Sequence, residues 1–277
     1  MMKIKYLGTA AAEGIPALFC HCPICEYART HRGKEIRTRA QAVIDEEILL
    51  DFGPDTYMHC LQEGLDLAGI GLCLVTHTHG DHFMIDDIRM RCRSFAVYEE
   101  EIPPLIVCGS SEAEAVFARE ENRDITEDGR VVFRKLPPYE EYRYKEYSIT
   151  PLPAFHGTTE PFFYLVRKGH RALLYAHDTD IFYEEVWKYL QRLGIVLQLV
   201  SLDCTEGRRK MDYSGHMNLE RNFAVRERML RMGIADDATV FAASHISHNG
   251  QLCHLQAQDS KIHRGFVVAW DGMELEI

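Results

Sequence analysis

Three histidines and one aspartate lie within six residues of each other in this chain. They occupy the segment Thr76-His77-Thr78-His79-Gly80-Asp81-His82, directly after the apolar run 72–75. Such a run is typical of a buried strand, so we expect the polar residues in the loop at its end. Imidazole and carboxylate groups are suitable ligands for zinc and neighbouring metals. Because His77 and His79 can point to one side of an extended loop while Asp81 and His82 turn to another, the spacing favours two adjacent metals over one. A polar, histidine-rich loop is the alternative.

Similar polar residues follow three later apolar segments. His156 comes after 149–153, the end of a predicted strand, Asp178 after 173–176, and His245 after 239–243. Side chains at strand ends can converge on one rim of a layered fold, so their shared placement indicates one site. Each residue also has an ordinary interpretation on its own. His156 could be a loop residue, Asp178 a helix cap, and His245 a buried polar contact.

Three of the nine cysteines form a second cluster. Cys20, Cys22 and Cys25 lie in a long loop after the first predicted strand, and the other cysteines are scattered singly, several of them in apolar segments. An odd number with this distribution fits reduced thiols and a metal cluster better than a disulfide framework. A reduced apolar core cluster is the alternative, and it is disfavoured because proline, histidine and glutamate surround the three thiols.

Composition excludes several classes of protein. The chain has 277 residues, 26% of them charged and 46% hydrophobic, as in an ordinary globular protein of one large or two small domains. Its net charge of -11 argues against a nucleic-acid partner, although a local basic patch is compatible with it. The N-terminal segment 1–8 is too short and too interrupted for a signal peptide, and no apolar run is long enough for a membrane span. We therefore expect a cytoplasmic protein without a membrane partner.

The predicted elements alternate in two groups. Strands are expected at 3–7, 41–44 and 47–51, then a helix at 54–63 and a strand at 72–75. A helix at 85–95, a strand at 105–108 and a helix at 111–122 follow, the last capped by Ser111 with Glu114 three residues on. Further strands are expected at 131–135, 147–153, 162–167 and 173–176, then helices at 183–193 and 219–232, and a last core strand at 266–270. This order predicts an α/β fold of two similar halves, packed sheet to sheet with helices outside.

The histidine segment, with His156, Asp178 and His245 downstream, resembles the metallo-β-lactamase superfamily over nearly the whole chain. The resemblance implies a four-layer αββα sandwich, a single domain over 1–277 and a dinuclear metal site on one edge. Within that superfamily, the segment 20–25 together with Ser244-His245-Ile246-Ser247-His248 resembles the PhnP-type cyclic phosphodiesterases of phosphonate breakdown. The opening Leu7-Gly8-Thr9 and the near-terminal Asp271-Gly272-Met273-Glu274 share this similarity.

The resemblance implies a set of ligands. One metal would be held by His77, His79 and His156, the other by Asp81, His82 and His245, with Asp178 between them. A separate structural zinc would be bound by Cys20, Cys22, Cys25 and His248, a closed shell of three thiolates and one imidazole in a zinc loop at 8–33. Because His248 lies three residues from His245, this zinc would hold the N-terminal loop against the strand end that supplies an active-site ligand. Zinc or manganese, with iron as a further candidate, is expected in the active site.

The implied activity is hydrolysis of small cyclic or diester phosphates by attack of a metal-bridging hydroxide. Asp81 and His216 are the predicted catalytic residues. His216 is the candidate general acid, since the family has a histidine in the corresponding loop; a solvated loop histidine is the alternative. The basic run Arg208, Arg209 and Lys210 could attract a phosphate or be an ordinary surface. His177 departs from the family pattern and is either a contact behind the ligands or simply exposed.

Other activities within the same superfamily compete with this one. A tRNA 3′-processing nuclease is disfavoured by the acidic chain and the lack of a long basic arm. A non-hydrolytic relative resembling the pyrroloquinoline-quinone biosynthesis protein would share the cysteine cluster, but altered catalytic ligands would be expected, and all seven are present here. Flavodiiron-type redox chemistry would place a glutamate where His79 stands. The expected partner is therefore a small phosphate ester, and a homodimer is compatible with the family.

Overall fold

A computed structural model describes residues 1–98, 102–257, 259 and 263–277 of the protein. The strands in these ranges are β1 (Lys3–Gly8), β2 (Gln41–Ile44), β3 (Ile48–Leu50), β4 (Leu72–Leu74), β5 (Leu105–Gly109), β6 (Val131–Lys135), β7 (Tyr142–Tyr144), β8 (Tyr147–Pro153), β9 (Phe162–Lys168), β10 (Arg171–Ala176), β11 (Leu199–Asp203), β12 (Val240–Ser244), β13 (Val267–Val268) and β14 (Met273–Glu276). The helices are α1 (Pro23–His31), α2 (Thr56–Glu63), α3 (Ile85–Ile88), α4 (Ser111–Phe117), α5 (Arg123–Asp128), α6 (Glu184–Leu193), α7 (Leu219–Met232) and α8 (His254–Ala257). None of the helices described is long and apolar enough to cross a membrane.

The strands form two mixed sheets of seven strands each. The first has the order β14-β1-β2-β3-β4-β5-β6 and the second the order β13-β12-β11-β10-β9-β8-β7. Apart from the antiparallel pair of β1 with the last strand, β14, antiparallel pairs come first along the chain in each sheet, through β3 in one and β10 in the other, and parallel pairs follow. The prediction of two similar halves is confirmed by this shared order.

Side-chain alternation along the strands produces four layers. On β4, Leu72 and Leu74 face the second sheet and share a buried cluster with Tyr164 and Tyr175. The intervening Cys73 points the other way and packs in a cluster with Phe117 of α4. The outer face of the second sheet is covered in the same manner by buried side chains of α6 and α7, Trp187 and Val225 among them. The predicted α/β sandwich with helices outside is confirmed.

Some element boundaries differ from the prediction. Ser111 is not the cap of α4, because the preceding Ser110 has extended backbone and its hydroxyl accepts from the Ala113 N–H at 3.3 Å. The helix also ends at Phe117 rather than at residue 122. Extended backbone at Arg119 separates it from α5, a helix that the sequence analysis did not predict. The helix predicted at 85–95 is shorter in the structure. The single turn α3 is followed by a 3₁₀ turn at Arg89–Arg91, and the backbone becomes extended at Cys92.

The C-terminal prediction was also incomplete. The last core strand is shorter than predicted, and β14 follows it after a turn at Gly272, whose φ is 87°. β14 pairs antiparallel with β1 through residues of alternating burial, so β14 rather than β1 is the edge strand of the first sheet.

One edge of the sandwich collects the carboxyl ends of several strands from both sheets. The loop after β4 is joined to the second sheet there, because the Phe162 N–H donates to the Thr76 carbonyl at 2.8 Å and the Tyr164 hydroxyl donates to the Val75 carbonyl at 2.6 Å. β8, β10, β11 and β12 point their carboxyl ends to the same edge. Loops that are distant in sequence therefore meet at this place.

Candidate metal centre

His77, His79 and His156 come together from two loops at the edge of the sandwich. His77 Nε2 and His156 Nε2 lie 3.0 and 3.2 Å from His79 Nδ1. All three side chains offer one ring nitrogen to a common point. These are the three residues predicted for the first metal.

A second group lies beside the first, and Asp178 stands between them. Its Oδ2 is 2.8 Å from His245 Nε2 and 3.0 Å from His82 Nε2. Its Oδ1 is 3.5 Å from His156 Nε2. Asp81 Oδ2 is 3.1 Å from His82 Nε2, which completes the set predicted for a second metal. The carboxylate of Asp178 thus has one oxygen directed to each group.

The buried ligand atoms around Asp178 are better suited to binding a cation than to hydrogen-bonding with one another. His82 Nε2, His245 Nε2 and Asp178 Oδ2 have no hydrogen-bond partner among the residues described, although they lie close together. Buried polar atoms are normally hydrogen-bonded, so three atoms that lie together without a well-directed hydrogen bond suit a point where a cation accepts their lone pairs. Burial would raise the pKa of Asp178, but His245 and His82 hold that pKa well below its usual range. Imidazole nitrogens and an ionised carboxylate are the donor set that zinc and its neighbours prefer.

Asp51 fixes the ring of His82 from behind. Its Oδ2 accepts a hydrogen bond from His82 Nδ1 at 2.7 Å, and its Oδ1 accepts from the Thr76 N–H at 2.7 Å. With Nδ1 carrying the proton, Nε2 keeps its lone pair directed into the group. Asp51 was not selected from the sequence, although it follows β3 directly and so has the same position relative to a strand as the predicted ligands.

Asp203, at the end of β11, holds the loop of His216 and was also missed. Its Oδ2 accepts from His216 Nδ1 at 2.9 Å, and its Oδ1 accepts from the Met217 N–H at 3.0 Å. Burial would lower the pKa of His216, but the nearby charge of Asp203 and its hydrogen bond raise it to about 9. Thr205 Oγ1 lies 2.8 Å from His245 Nδ1 and 3.2 Å from His216 Nδ1, so one hydroxyl links both rings. His216 Nδ1 is 3.8 Å from Asp178 Oδ1, which places the imidazole beside the metal-ligand candidates.

His177 is buried rather than exposed, so that alternative was wrong. Its Nε2 lies 2.8 Å from the Ser201 hydroxyl, and its ring packs 3.9 Å from that of Tyr175. The side chain therefore belongs to the layer beneath the candidate ligands.

The basic run does not reach this centre in the described structure. Arg209 pairs with Glu206 at 3.4 Å, and Arg208 borders a groove at the start of α7 together with Asn218 and Phe223. These contacts are those of a surface segment.

The cysteine cluster and His248 meet at a separate place. His248 Nδ1 is 3.5 Å from Cys20 Sγ and 3.4 Å from Cys22 Sγ, and the ligand atoms of these residues and Cys25 all lie within 4.8 Å of one another. Burial would raise the pKa of Cys22, but the Cys25 N–H and the His248 ring outweigh it and lower that pKa to about 6. On the far side of the ring, His248 Nε2 is 3.4 Å from Glu13 Oε1. The chemistry of three thiols and one imidazole fits a closed zinc site.

Comparison with known proteins places this geometry in context. A family model for the β-lactamase superfamily domain matches residues 46–259. Among solved structures, a diphosphatase of the PhnP family aligns with a TM-score of 0.76 and 22% identity over 100% of this chain and 98% of that one. The Zn²⁺-bound PqqB of Methylobacterium extorquens aligns at 0.75 with 17% identity, covering 99% and 100% of the two chains. The short form of human tRNase Z aligns at 0.70 with 17% identity, covering 99% of both. At these identities the structural matches show the fold.

A search of curated proteins gives one partial match. An octanoyltransferase of Porphyromonas gingivalis is 35% identical over 105 residues, which is 36% of this chain and 21% of that protein. The chain thus spans about a fifth of the length of this curated relative.

Proposed function

The chain belongs to the β-lactamase superfamily, and we propose on that premise that it is a dinuclear metal-dependent phosphodiesterase acting on small cyclic or diester phosphates. The observation that carries the proposal is the position of Asp178, whose two carboxylate oxygens face two separate groups of histidines. Such a carboxylate suits a pair of neighbouring metals, the arrangement that serves phosphoester hydrolysis in many enzymes.

The proposed ligands follow from the two groups. The first metal would be held by His77, His79 and His156, the second by Asp81, His82 and His245, and Asp178 would contact both. When bound, zinc or manganese would acidify a water molecule and bind the phosphoryl oxygens of the ester. Asp51 would keep His82 in the tautomer that leaves Nε2 free for a metal.

His216 would donate the proton to the leaving group. Its Nδ1–H is held by Asp203, so Nε2–H is the group left for a substrate, and no hydrogen bond to Nε2 occurs within the described ranges. The charge and hydrogen bond of Asp203 raise the pKa of this imidazole, which favours the protonated form that a proton donor needs. An alkoxide leaves poorly without a proton, so a positioned acid of this kind accelerates cleavage of alkyl esters in particular.

The second site would hold a structural zinc bound by Cys20, Cys22, Cys25 and His248. Its role would be to fix the loop that carries His245, because His248 lies in the next turn of the chain after β12. The PhnP-type assignment rests on the combination of this site with the seven candidate ligands of the active centre. Either feature alone fits several members of the superfamily.

A substrate panel tests the activity. The purified chain, loaded with Mn²⁺ or Zn²⁺, would be assayed with bis-p-nitrophenyl phosphate, a ribose cyclic phosphate, nucleoside 2′,3′-cyclic phosphates, a tRNA precursor and a β-lactam. We expect hydrolysis of the small diesters, and loss of that activity together with bound metal in Asp178→Asn. Activity confined to the β-lactam would refute the phosphodiesterase proposal, whereas efficient cleavage of the tRNA precursor alone would support the nuclease instead.

A further inference from the structure

Gly215 lies between a candidate metal ligand and the candidate acid. Its carbonyl accepts a hydrogen bond from His156 Nδ1 at 3.0 Å, and the next residue along the chain is His216. The φ of Gly215 is 110°, a backbone conformation that residues with a side chain rarely adopt. Because a carbonyl only accepts, His156 Nδ1 must carry the proton. This leaves the lone pair of Nε2 available to the first proposed metal. The orientation of His156 therefore depends on where this backbone carbonyl is held.

Asp180 and Arg221 hold the segment around Gly215. Asp180 Oδ2 accepts from the Gly215 N–H at 3.3 Å and from Arg221 Nη1 at 2.6 Å. The Arg221 side chain also donates to the carbonyls of His216 at 3.1 Å and Tyr213 at 3.2 Å. One guanidinium thus ties down the chain on both sides of Gly215.

Both members of this pair are themselves fixed. Asp180 is buried, its backbone N–H donates to the Phe155 carbonyl at 3.1 Å, and Phe155 is the neighbour of His156. Arg221 lies in the first turn of α7, where its backbone N–H donates to the capping side chain of Asn218 at 2.9 Å. A planar guanidinium in such a position can hold several acceptors in a defined geometry, which a lysine ammonium cannot reproduce.

We propose that Asp180 and Arg221 form a positioning pair that sets the Gly215–His216 segment and, through the Gly215 carbonyl, the ring of His156. The pair would act on two functions at once, retention of the first metal and delivery of the proton. Neither residue is among the candidate metal ligands. Both act through the backbone of the loop that contains Gly215. The proposal rests on the function above insofar as it takes His156 as a ligand and His216 as the acid.

The test compares Arg221→Ala and Arg221→Lys with Arg228→Ala. Arg228 is the matched control, because it lies on the same helix and forms a comparable pair with Glu184 at 2.6 Å, but it contacts the outer helix α6. Zinc retention would be measured by competition with a chelator. The kcat would be measured on two esters that differ in their leaving group. A nucleoside 2′,3′-cyclic phosphate releases an alkoxide, whereas bis-p-nitrophenyl phosphate releases a phenolate that needs little help from an acid.

For Arg221→Ala we expect roughly 10-fold weaker zinc retention, as for other residues that orient a metal ligand. We also expect kcat on the cyclic phosphate to fall about 100-fold, with a much smaller loss on the nitrophenyl ester. Arg221→Lys should lie between this variant and the wild type, and it serves as the test if Arg221→Ala does not fold. Arg228→Ala should match the wild type in every measurement.

Two results would overturn the positioning role. One is zinc retention in both Arg221 variants equal to that of Arg228→Ala, and the other is an equal loss of kcat on the two esters. If the wild type hydrolyses neither ester, the proposed function fails, and the chelator titration alone still decides whether Arg221 orients a ligand.

Discussion

Gly207 and Gly250 approach each other so closely that neither has room for a side chain. A Cβ on Gly207 would lie 2.5 Å from the Gly250 carbonyl oxygen, and one on Gly250 would lie 2.8 Å from the Gly207 nitrogen. The first glycine lies two residues after Thr205, whose hydroxyl lies close to both His245 and His216. The second lies two residues after the candidate zinc ligand His248. This contact of two backbones joins the segment that carries His245 and His248 to the segment that carries Thr205 behind the candidate metal centre.

Gly250→Ala is therefore expected to destabilise the protein. The added methyl group meets backbone atoms, which cannot move away cheaply, so we expect a loss of about 1–3 kcal/mol in the free energy of unfolding. Urea denaturation followed by circular dichroism would measure it. Gly69→Ala is the control, since Gly69 is exposed and its nearest non-neighbouring atom is 3.4 Å from an added Cβ; equal stability of the two variants would contradict this interpretation.

The sequence predicted the layers and the ligand candidates because both depend on local pattern. The unbroken apolar run at 72–75 indicates a buried strand, and polar residues directly after apolar strands indicate the edge where they meet. Asp51 and Asp203 have the same placement, yet the sequence cannot distinguish a carboxylate that faces a metal from one that binds the back of a histidine. That distinction depends on which ring nitrogen each carboxylate reaches, and only the packed loops determine it.

Other features had no local signal at all. Asp180 and Arg221 are 41 residues apart, and their contact exists because the loop after β10 meets the first turn of α7. The break between α4 and α5 likewise follows from extended backbone at Arg119, a residue type that is common inside helices. Sequence pattern indicates elements and strand ends, whereas contacts between loops require the tertiary structure.

His59 should make stability depend on pH. Its ring is buried between Gln41 Oε1 at 2.6 Å and Thr38 Oγ1 at 2.7 Å, and burial lowers its pKa to about 4, although Asp55 opposes this shift. The unfolded chain binds a proton at this residue below a pH of about 6.5, so stability is lost as pH falls from there towards the folded pKa and is unaffected above it.

Between pH 7 and pH 5 this residue alone should remove about 2 kcal/mol from the free energy of unfolding. His59→Gln removes the titrating ring, so the stability of that variant should fall less over the same interval by about this amount. Urea titrations of both proteins at the two pH values measure the difference. An identical pH dependence in the two proteins would show that His59 is not held neutral by the fold.

Metal content tests both candidate sites. We expect roughly three metal ions per chain, two in the dinuclear centre and one in the cysteine site. His248→Ala should lower zinc content and melting temperature together, because the proposed zinc would join the N-terminal loop to the segment after β12. His21→Ala is the control, as His21 lies in the same loop but pairs with Glu26 and is 85% exposed. Normal melting and unchanged metal in His248→Ala would disprove the structural zinc, and one metal or none in the wild type would disprove the whole assignment.

His216→Gln should separate proton donation from metal chemistry. Glutamine keeps a polar side chain in the loop but cannot supply a proton, so kcat on a nucleoside 2′,3′-cyclic phosphate should fall about 10²–10⁴-fold. The same substitution should reduce kcat far less on bis-p-nitrophenyl phosphate, whose leaving group is stable as an anion. Metal content should remain that of the wild type, because His216 is not among the seven proposed ligands. His170→Gln, an exposed histidine in the turn between β9 and β10, should change neither rate. A parallel loss on both esters would assign His216 to substrate or metal binding, and the proton donor would then have to be sought elsewhere on the rim of the site.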